Sequence, residues 1–307
     1  MYRNCVGLCE KLLGIFLDLC HNQRRKQNFR GDFAQIWLFG DKGAAMGNTK
    51  IICFANNKGG SGKSTTCSNV AYGLTELGHK VLMIDGDMQM NLSLAYFDEE
   101  TVLEFASGGK NLYEAVKNQR DLTDYIVHTQ YENLDLIPSS TLMSSIEYEL
   151  FTKWQREFIL KKCLQSIKES GAYDYILIDA PPTLGGWVMN ILVASDGLII
   201  PVEASPWGLF GLANMFEFLS AVQQISPELK LLGIAVTKVD TRKNYFKQTI
   251  ETLKELDDVY VFENFIRVDS SIEWAQDNSV PVIAYKKSSR SAKEYMELTK
   301  EIEGLWQ

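Results

Sequence analysis

The sequence predicts an α/β domain in which a mostly parallel, twisted sheet is flanked by helices, and three observations carry that prediction. From about residue 50 onward, short apolar runs alternate with helical patterns; a glycine-rich turn separates the first run from the first helical stretch; and aspartates close two of the later runs. The 307 residues suit one large α/β unit with an appendage, and 46% hydrophobic with 23% charged residues is the balance of a chain that can bury a sizeable core. General disorder is excluded on that composition. A formal net charge of −8 also excludes a protein coated in basic surface, so any contact with nucleic acid must come from a local patch.

Residues 1–45 are expected to be an N-terminal extension, and residues 46–307 the domain. Cys5 to Cys20 is apolar and is followed by Arg24, Arg25 and Lys26. A bilayer span needs about 20 continuous apolar residues, and this run is shorter and interrupted by Glu10, Lys11 and Asp18, so no integral membrane span is expected. The charges follow the apolar run instead of preceding it, which is the wrong order for a signal peptide. Two readings stay open: an amphipathic surface helix, or an extension ahead of a natural start at Met46.

The domain then reads element by element. Lys50 to Ala55 is a β-branched and apolar run, expected as a strand; after the glycine-rich turn, Lys63 to Leu77 is helical in pattern, with Gly78 as its C-cap. Further strands are expected at Val81 to Asp85, Leu134 to Ile137, Tyr175 to Asp179, Leu198 to Val202 and Leu231 to Val236, with helical patterns such as Ile146 to Glu169 between them. Strands that alternate with helices pair in parallel and are covered on both faces. Ligands of such sheets bind beyond the carboxyl ends of the strands, so the informative residues should stand just after the runs.

They do. Asn57-Lys58-Gly59-Gly60-Ser61-Gly62-Lys63-Ser64-Thr65 follows a strand and opens a helix, the context of a loop whose backbone N–H groups close around phosphate oxygens. Lys63 would reach the β and γ phosphates, Ser64 would ligate Mg²⁺, and the helix N-terminus would add partial positive charge. Gly59 to Thr65, together with Lys58, form the candidate nucleotide-binding set. Asp85 and Asp87 follow the next strand in the order D-G-D-M-Q-M-N, and Asp179 closes YDYILID ahead of Ala180-Pro181-Pro182. Carboxylates at strand ends beside a phosphate loop can orient an attacking water or hold metal-bound water. The six cysteines have neither paired zinc spacing nor a secreted framework, and Cys53, inside an apolar run, reads as a small core residue.

The form K-G-G-x-G-K-[ST], here Lys58 to Ser64, resembles the deviant Walker A loop of the ParA/MinD superfamily. D-G-D-M-Q-M-N is similar to that group's D-x-D-P-Q-x-N with Met88 in place of proline, and I-D-A-P-P is similar to I-D-C-P-P. Further similar stretches run from Glu132 to Ser140, from Asn190 to Leu212 and from Pro281 onward. Nearly everything from Lys50 to the end is covered, and the resemblance is to ParA/Soj-type partition ATPases. It implies a single P-loop NTPase domain and Mg²⁺-dependent hydrolysis of ATP, with Lys58, Lys63 and Asp87 as catalytic residues. Lys58 would cross a nucleotide-sandwich dimer to the partner's phosphates, with the logic of an arginine finger. Asp87 would orient the water, while Ser64, Asp85 and Asp179 would serve the metal. The resemblance also implies a homodimer formed on ATP, non-specific DNA binding through Arg242 and Arg267, a ParB-like centromere-binding partner that stimulates hydrolysis, and a cytoplasmic, nucleoid-associated protein. Lys243, Lys247, Lys286, Lys287, Arg290 and Lys293 could extend the basic patch.

Rival readings share the loop. A MinD-like membrane-positioning ATPase would end in a basic amphipathic helix, whereas this chain ends in the acidic EYMELTKEIEGLWQ. A GTPase could read guanine through Thr237-Lys238-Val239-Asp240, which resembles N-K-x-D. A capsule-type tyrosine kinase lacks its closing tyrosine cluster, and an iron–sulfur reductase its loop cysteines. A nucleotide switch without turnover would differ mainly in a misplaced Asp87.

Overall fold

In the computed structural model, which describes residues 49–205, 208–256 and 259–306, each expected apolar run becomes a strand. These are β1 Lys50–Phe54, β2 Val81–Asp85, β4 Leu134–Ile137, β5 Tyr175–Asp179, β6 Gly197–Glu203 and β7 Lys230–Thr237, with a two-residue β3 at Val127–His128. The expectations for residues 1–45 lie outside the described residues. Every residue of β2 and β5 is buried, the pattern of strands covered on both faces.

The strand order is β3-β4-β2-β5-β1-β6-β7, parallel throughout except that β3 runs antiparallel to β4. This order positions the site. In register, Phe54 lies opposite Asp179, and Asp179 opposite Asp85, so the carboxyl ends of β1, β5 and β2 stand side by side. The loop leaves from the first of these and the two aspartates close the others.

On one face of the sheet pack α1 (Lys63–Glu76) and the C-terminal α13 (Arg290–Gly304), burying Cys67, Val70, Leu74, Tyr295, Leu298 and Ile302. The other face is covered by α4 (Leu112–Lys117), α6 (Ile159–Cys163), α8 (Gly186–Ala194) and α9 (Phe210–Gln223), among others, around Leu112, Leu160, Ile191 and Met215. The remaining helices are α2 (Asn91–Leu94), α3 (Glu99–Ser107), α5 (Ile146–Phe151), α7 (Gln165–Ser170), α10 (Asn244–Lys254), α11 (Ser270–Asp277) and α12 (Val282–Tyr285). The single helical pattern expected over Ile146 to Glu169 is therefore broken into α5, α6 and α7. The chain turns at Gln155, whose φ of 51° is left-handed and cannot continue a right-handed helix. No helix among the described residues is long and apolar enough to cross a membrane.

At Gly73 the two helices of the first face meet without a side chain between them. A Cβ there would lie 2.5 Å from Thr299 Oγ1 and 3.0 Å from its Cγ2. Gly73→Ala should gain up to about 1 kcal/mol of helix propensity and lose more to overpacking, for a net loss of about 1–2 kcal/mol. Urea unfolding would show this, and Thr299→Ala in the same chain should recover most of it.

Candidate nucleotide-binding site

Main-chain bonds across the strand ends fix the point where the loop departs: Ala55 N–H donates to Ile199 O (3.2 Å), and Ala180 N–H to Phe54 O (3.1 Å). Asn56 then steers the chain, its Nδ2 donating to Pro201 O at 2.7 Å while its Oδ1 accepts from Lys58 N–H at 3.0 Å. Gly60 and Gly62 have φ of 74° and 86°, a region that residues with a Cβ seldom adopt. Gly62 caps α1 with no side-chain hydrogen bond, and no acidic residue stands in the first turn. The first N–H groups of α1 therefore lack a capping acceptor and face the loop with the positive end of the helix dipole behind them, which is an anion site.

Lys63 is buried at 6% exposure, and its Nζ donates to Lys58 O at 3.4 Å. Burial lowers its pKa, opposed by the charges of Asp179 and then Asp87. Ser64 and Thr65 follow in the first turn, where Thr65 Oγ1 accepts from Gln276 Nε2 of α11 at 3.0 Å. The buried hydroxyl of Ser61 has no hydrogen-bond partner.

Three carboxylates face this loop with different environments. Asp179 is fully buried, and neither of its oxygens has a hydrogen-bond partner of good geometry, although the Ser64 hydroxyl is near enough to favour its charged form; burial and then the Asp85 charge hold its pKa well above the usual carboxylate range. Asp85 is equally buried but satisfied: Oδ2 accepts from Ser93 N–H (2.8 Å) and from Ser93 Oγ–H (2.7 Å), and Oδ1 from Asp87 N–H (3.2 Å), with burial pushing its pKa up to about 6. Asp85 thus spends its oxygens on holding the turn that carries Asp87. Asp87 is 6% exposed and accepts from Gln89 N–H at 3.1 Å. Gly86 is clamped between them, its N–H donating to Asp179 O at 2.9 Å and its carbonyl accepting from Trp187 Nε1 at 2.9 Å. A Cβ on Gly86 would fall 2.7 Å from that same Asp179 carbonyl.

The fit to a divalent cation follows from the unpaired carboxylate. Asp179 is a buried acceptor in want of a donor or a cation, and the Ser64 hydroxyl stands beside it. No group of three or more His, Cys, Asp or Glu side chains among the described residues could hold a metal alone. The remaining ligands would have to be water and phosphate oxygens, which is how Mg²⁺ is commonly held.

Outside this centre the structure differs from what the charges alone suggested. Lys58 does not extend into solvent: it forms an ion pair with Glu203, at the end of β6, and a 3.1 Å hydrogen bond to Ser205 Oγ. Arg242 is paired bidentately with Asp240, both bonds at 2.9 Å, and holds that carboxyl down at about 2. Arg267 is ion-paired with Glu294, which also accepts from the Arg267 N–H at 2.8 Å. Both candidate DNA arginines are thus matched by carboxylates of their own chain. The same pairing occupies both oxygens of Asp240 that a guanine base would need. Thr237 instead donates through Oγ1 to Ser61 O at 2.8 Å and pins the loop to β7.

Glu203, Ser205 and Ser93 were not anticipated from sequence as parts of this site, and Thr237 was anticipated only as a reader of guanine, not as the residue that pins the loop. Glu203 carried a usable signal, a charge closing an otherwise apolar strand. Cys53 and Cys67 are buried free thiols beneath the loop, both pushed up in pKa by burial, in keeping with Cys53 as core.

Residues 49–231 match a family described as AAA domain. The sporulation initiation inhibitor protein Soj of Bacillus subtilis is 35% identical over 254 residues, 82% of this chain and 98% of that protein. The chromosome partitioning protein ParA of Myxococcus xanthus is 31% identical over 82% of this chain and 87% of its own length. Among solved structures, the cobyrinic acid a,c-diamide synthase of Mycobacterium smegmatis with bound ATP analogue and magnesium superposes with a TM-score of 0.73 at 27% identity, over 84% of this chain and 96% of that one. A glycine-rich loop opening α1, aspartates closing β2 and β5, and likeness over 82% of the chain to Soj converge on one conclusion: the chain belongs to the ParA/Soj-type family of partition ATPases.

Proposed function

We propose that this chain binds ATP with Mg²⁺ and hydrolyses it as the timing step of DNA partition, dimerising on ATP, associating with DNA without sequence preference, and being stimulated by a ParB-like centromere-binding protein. The observation that carries the chemistry is the uncapped α1 N-terminus beside buried Lys63 and the unpaired Asp179 carboxylate. The α1 amides and Lys63 bind the phosphates, and the closed β7 wall at Thr237 keeps the loop in shape. Ser64, with Asp179 behind it through water, would hold Mg²⁺, which when bound offsets phosphate charge. Asp87, on the turn that Asp85 and Ser93 anchor, orients the attacking water. Lys58 supplies the cation in trans once it leaves Glu203. On this reading the protein works in the cytoplasm, on the nucleoid, with residues 46–307 as the working domain.

DNA contact is assigned to Arg242 and Arg267. Each must exchange its present carboxylate for a phosphate oxygen, and the exposed Arg242 can do so at low cost because its pair is solvent-screened. Co-sedimentation with non-specific DNA in ATP, ADP or GTP tests the whole reading, using wild type, Lys58→Ala and Arg242→Ala/Arg267→Ala. ATP-dependent, salt-sensitive binding that is absent in Lys58→Ala and weakened in the arginine variant is expected. Nucleotide-dependent self-association with no DNA binding would sink the partition step, and binding that follows GTP would sink the ATP assignment.

A further inference from the structure

The segment Thr237-Lys238-Val239-Asp240 has an unassigned member. Thr237 is committed to the loop and Asp240 to Arg242, while Val239 is buried, its N–H donating to Ile266 O at 3.0 Å and its carbonyl accepting from Val268 N–H at 3.0 Å. Between these anchored neighbours Lys238 takes a φ of 52°, a left-handed conformation that residues with a Cβ rarely adopt. The kink ends β7 and carries the side chain across to the phosphate loop, leaving Nζ 3.9 Å from the point where a Cβ on Gly60 would lie.

We propose that Lys238 is a nucleotide-contacting residue whose ammonium, held over Gly60 by the kink at the end of β7, binds an oxygen of the phosphate–ribose segment of the bound nucleotide. The inference rests on the nucleotide reading of the site and extends it to a residue outside the loop. Three features converge. Lys238 is exposed and has no hydrogen bond or ion pair among the described residues, whereas Lys58, Arg242 and Arg267 are all matched by carboxylates. Its backbone is in an uncommon conformation set between two fixed residues, so the direction in which the side chain leaves the backbone is set by the fold. And Thr237, the adjoining residue, bonds to Ser61, so strand and loop are fixed to one another and the Lys238 backbone stands beside the loop, with the ammonium within reach of it. A flexible ammonium with three donors can reach a phosphate oxygen without the planar match a guanidinium needs.

The test is calorimetric titration of the full chain with ATP, ADP and GTP, comparing wild type, Lys238→Met and Lys238→Arg, with the melting temperature of each nucleotide-free protein measured alongside. Loss of a charge-assisted hydrogen bond should weaken ATP about tenfold in Lys238→Met, Lys238→Arg should recover most of that, and all three should melt together. Equal ATP affinity in wild type and Lys238→Met overturns the proposal. So does an equal loss in both variants, or a loss accompanied by a lower melting temperature, since either would make the role structural. Preference of wild type for GTP would return the segment to base reading and overturn it as well. Failure of wild type to bind any nucleotide would instead remove the site reading on which the inference stands.

Discussion

Asp87→Ala should bind ATP nearly as tightly as wild type while hydrolysing it at least about a hundredfold more slowly, the contribution typical of a group that positions or deprotonates an attacking nucleophile. The geometry separates the two quantities. On the proposed reading the binding groups are the uncapped α1 amides and Lys63, and none of them depends on Asp87 for a hydrogen bond. What Asp87 holds within the protein is the Gln89 N–H, and losing that bond costs about 1 kcal/mol of local order. Asp85→Ala should behave differently, because it strands two donors of Ser93 and the Asp87 N–H inside the core, so that folding and binding fail together. Single-turnover phosphate release at matched ATP occupancy distinguishes the cases. A drop below about tenfold in Asp87→Ala would remove its water-orienting role, and a collapse of affinity would recast it as a binding residue.

The parts of this molecule that could be read from sequence are those decided locally. The runs Val81 to Asp85 and Tyr175 to Asp179 coincide with β2 and β5 because central parallel strands are buried on both faces and read as continuous apolar runs, each closed by an aspartate that is itself buried at the site, while Leu134 to Ile137 coincides with β4 despite the half-buried Asp135. The loop was legible because its glycines answer to backbone angles that their own φ values display. Partners far along the chain were not legible. Lys58 meets Glu203 across 145 residues only because β6 lies beside β1. Arg267 meets Glu294 only because α13 returns over the end of the sheet. Lys58, Arg242 and Arg267 were assigned to phosphates and DNA by resemblance, which carried no sign that the fold supplies each of them a counter-ion. The break of Ile146 to Glu169 into three helices also lacked a local cue, having neither proline nor glycine at Gln155, where the chain takes its left-handed turn.

The pairing of Lys58 leads to the other large effect. The lysine proposed to act on a partner's phosphates is here held by Glu203 and Ser205 of its own chain. The side chains are 25% and 31% exposed, so solvent screening limits the pair to about 1 kcal/mol. A triphosphate carries several negative charges against the single one of Glu203, and the exchange is therefore favourable once a second subunit brings its nucleotide within reach. Lys58→Ala should keep ATP affinity within about threefold, because Lys63 and the α1 amides remain, yet lose ATP-dependent dimerisation and with it about a thousandfold or more of stimulated hydrolysis, the scale of a cation supplied in trans. Glu203→Gln removes the competitor and keeps the shape; it should tighten the ATP-dependent dimer by up to about fivefold, the equivalent of 1 kcal/mol. Light scattering of the two variants with a slowly hydrolysed ATP analogue reads both effects. Dimerisation of Lys58→Ala at the wild-type concentration would end the trans assignment, and a weaker dimer in Glu203→Gln would mean that Glu203 supports the assembled state instead of holding Lys58 back from it.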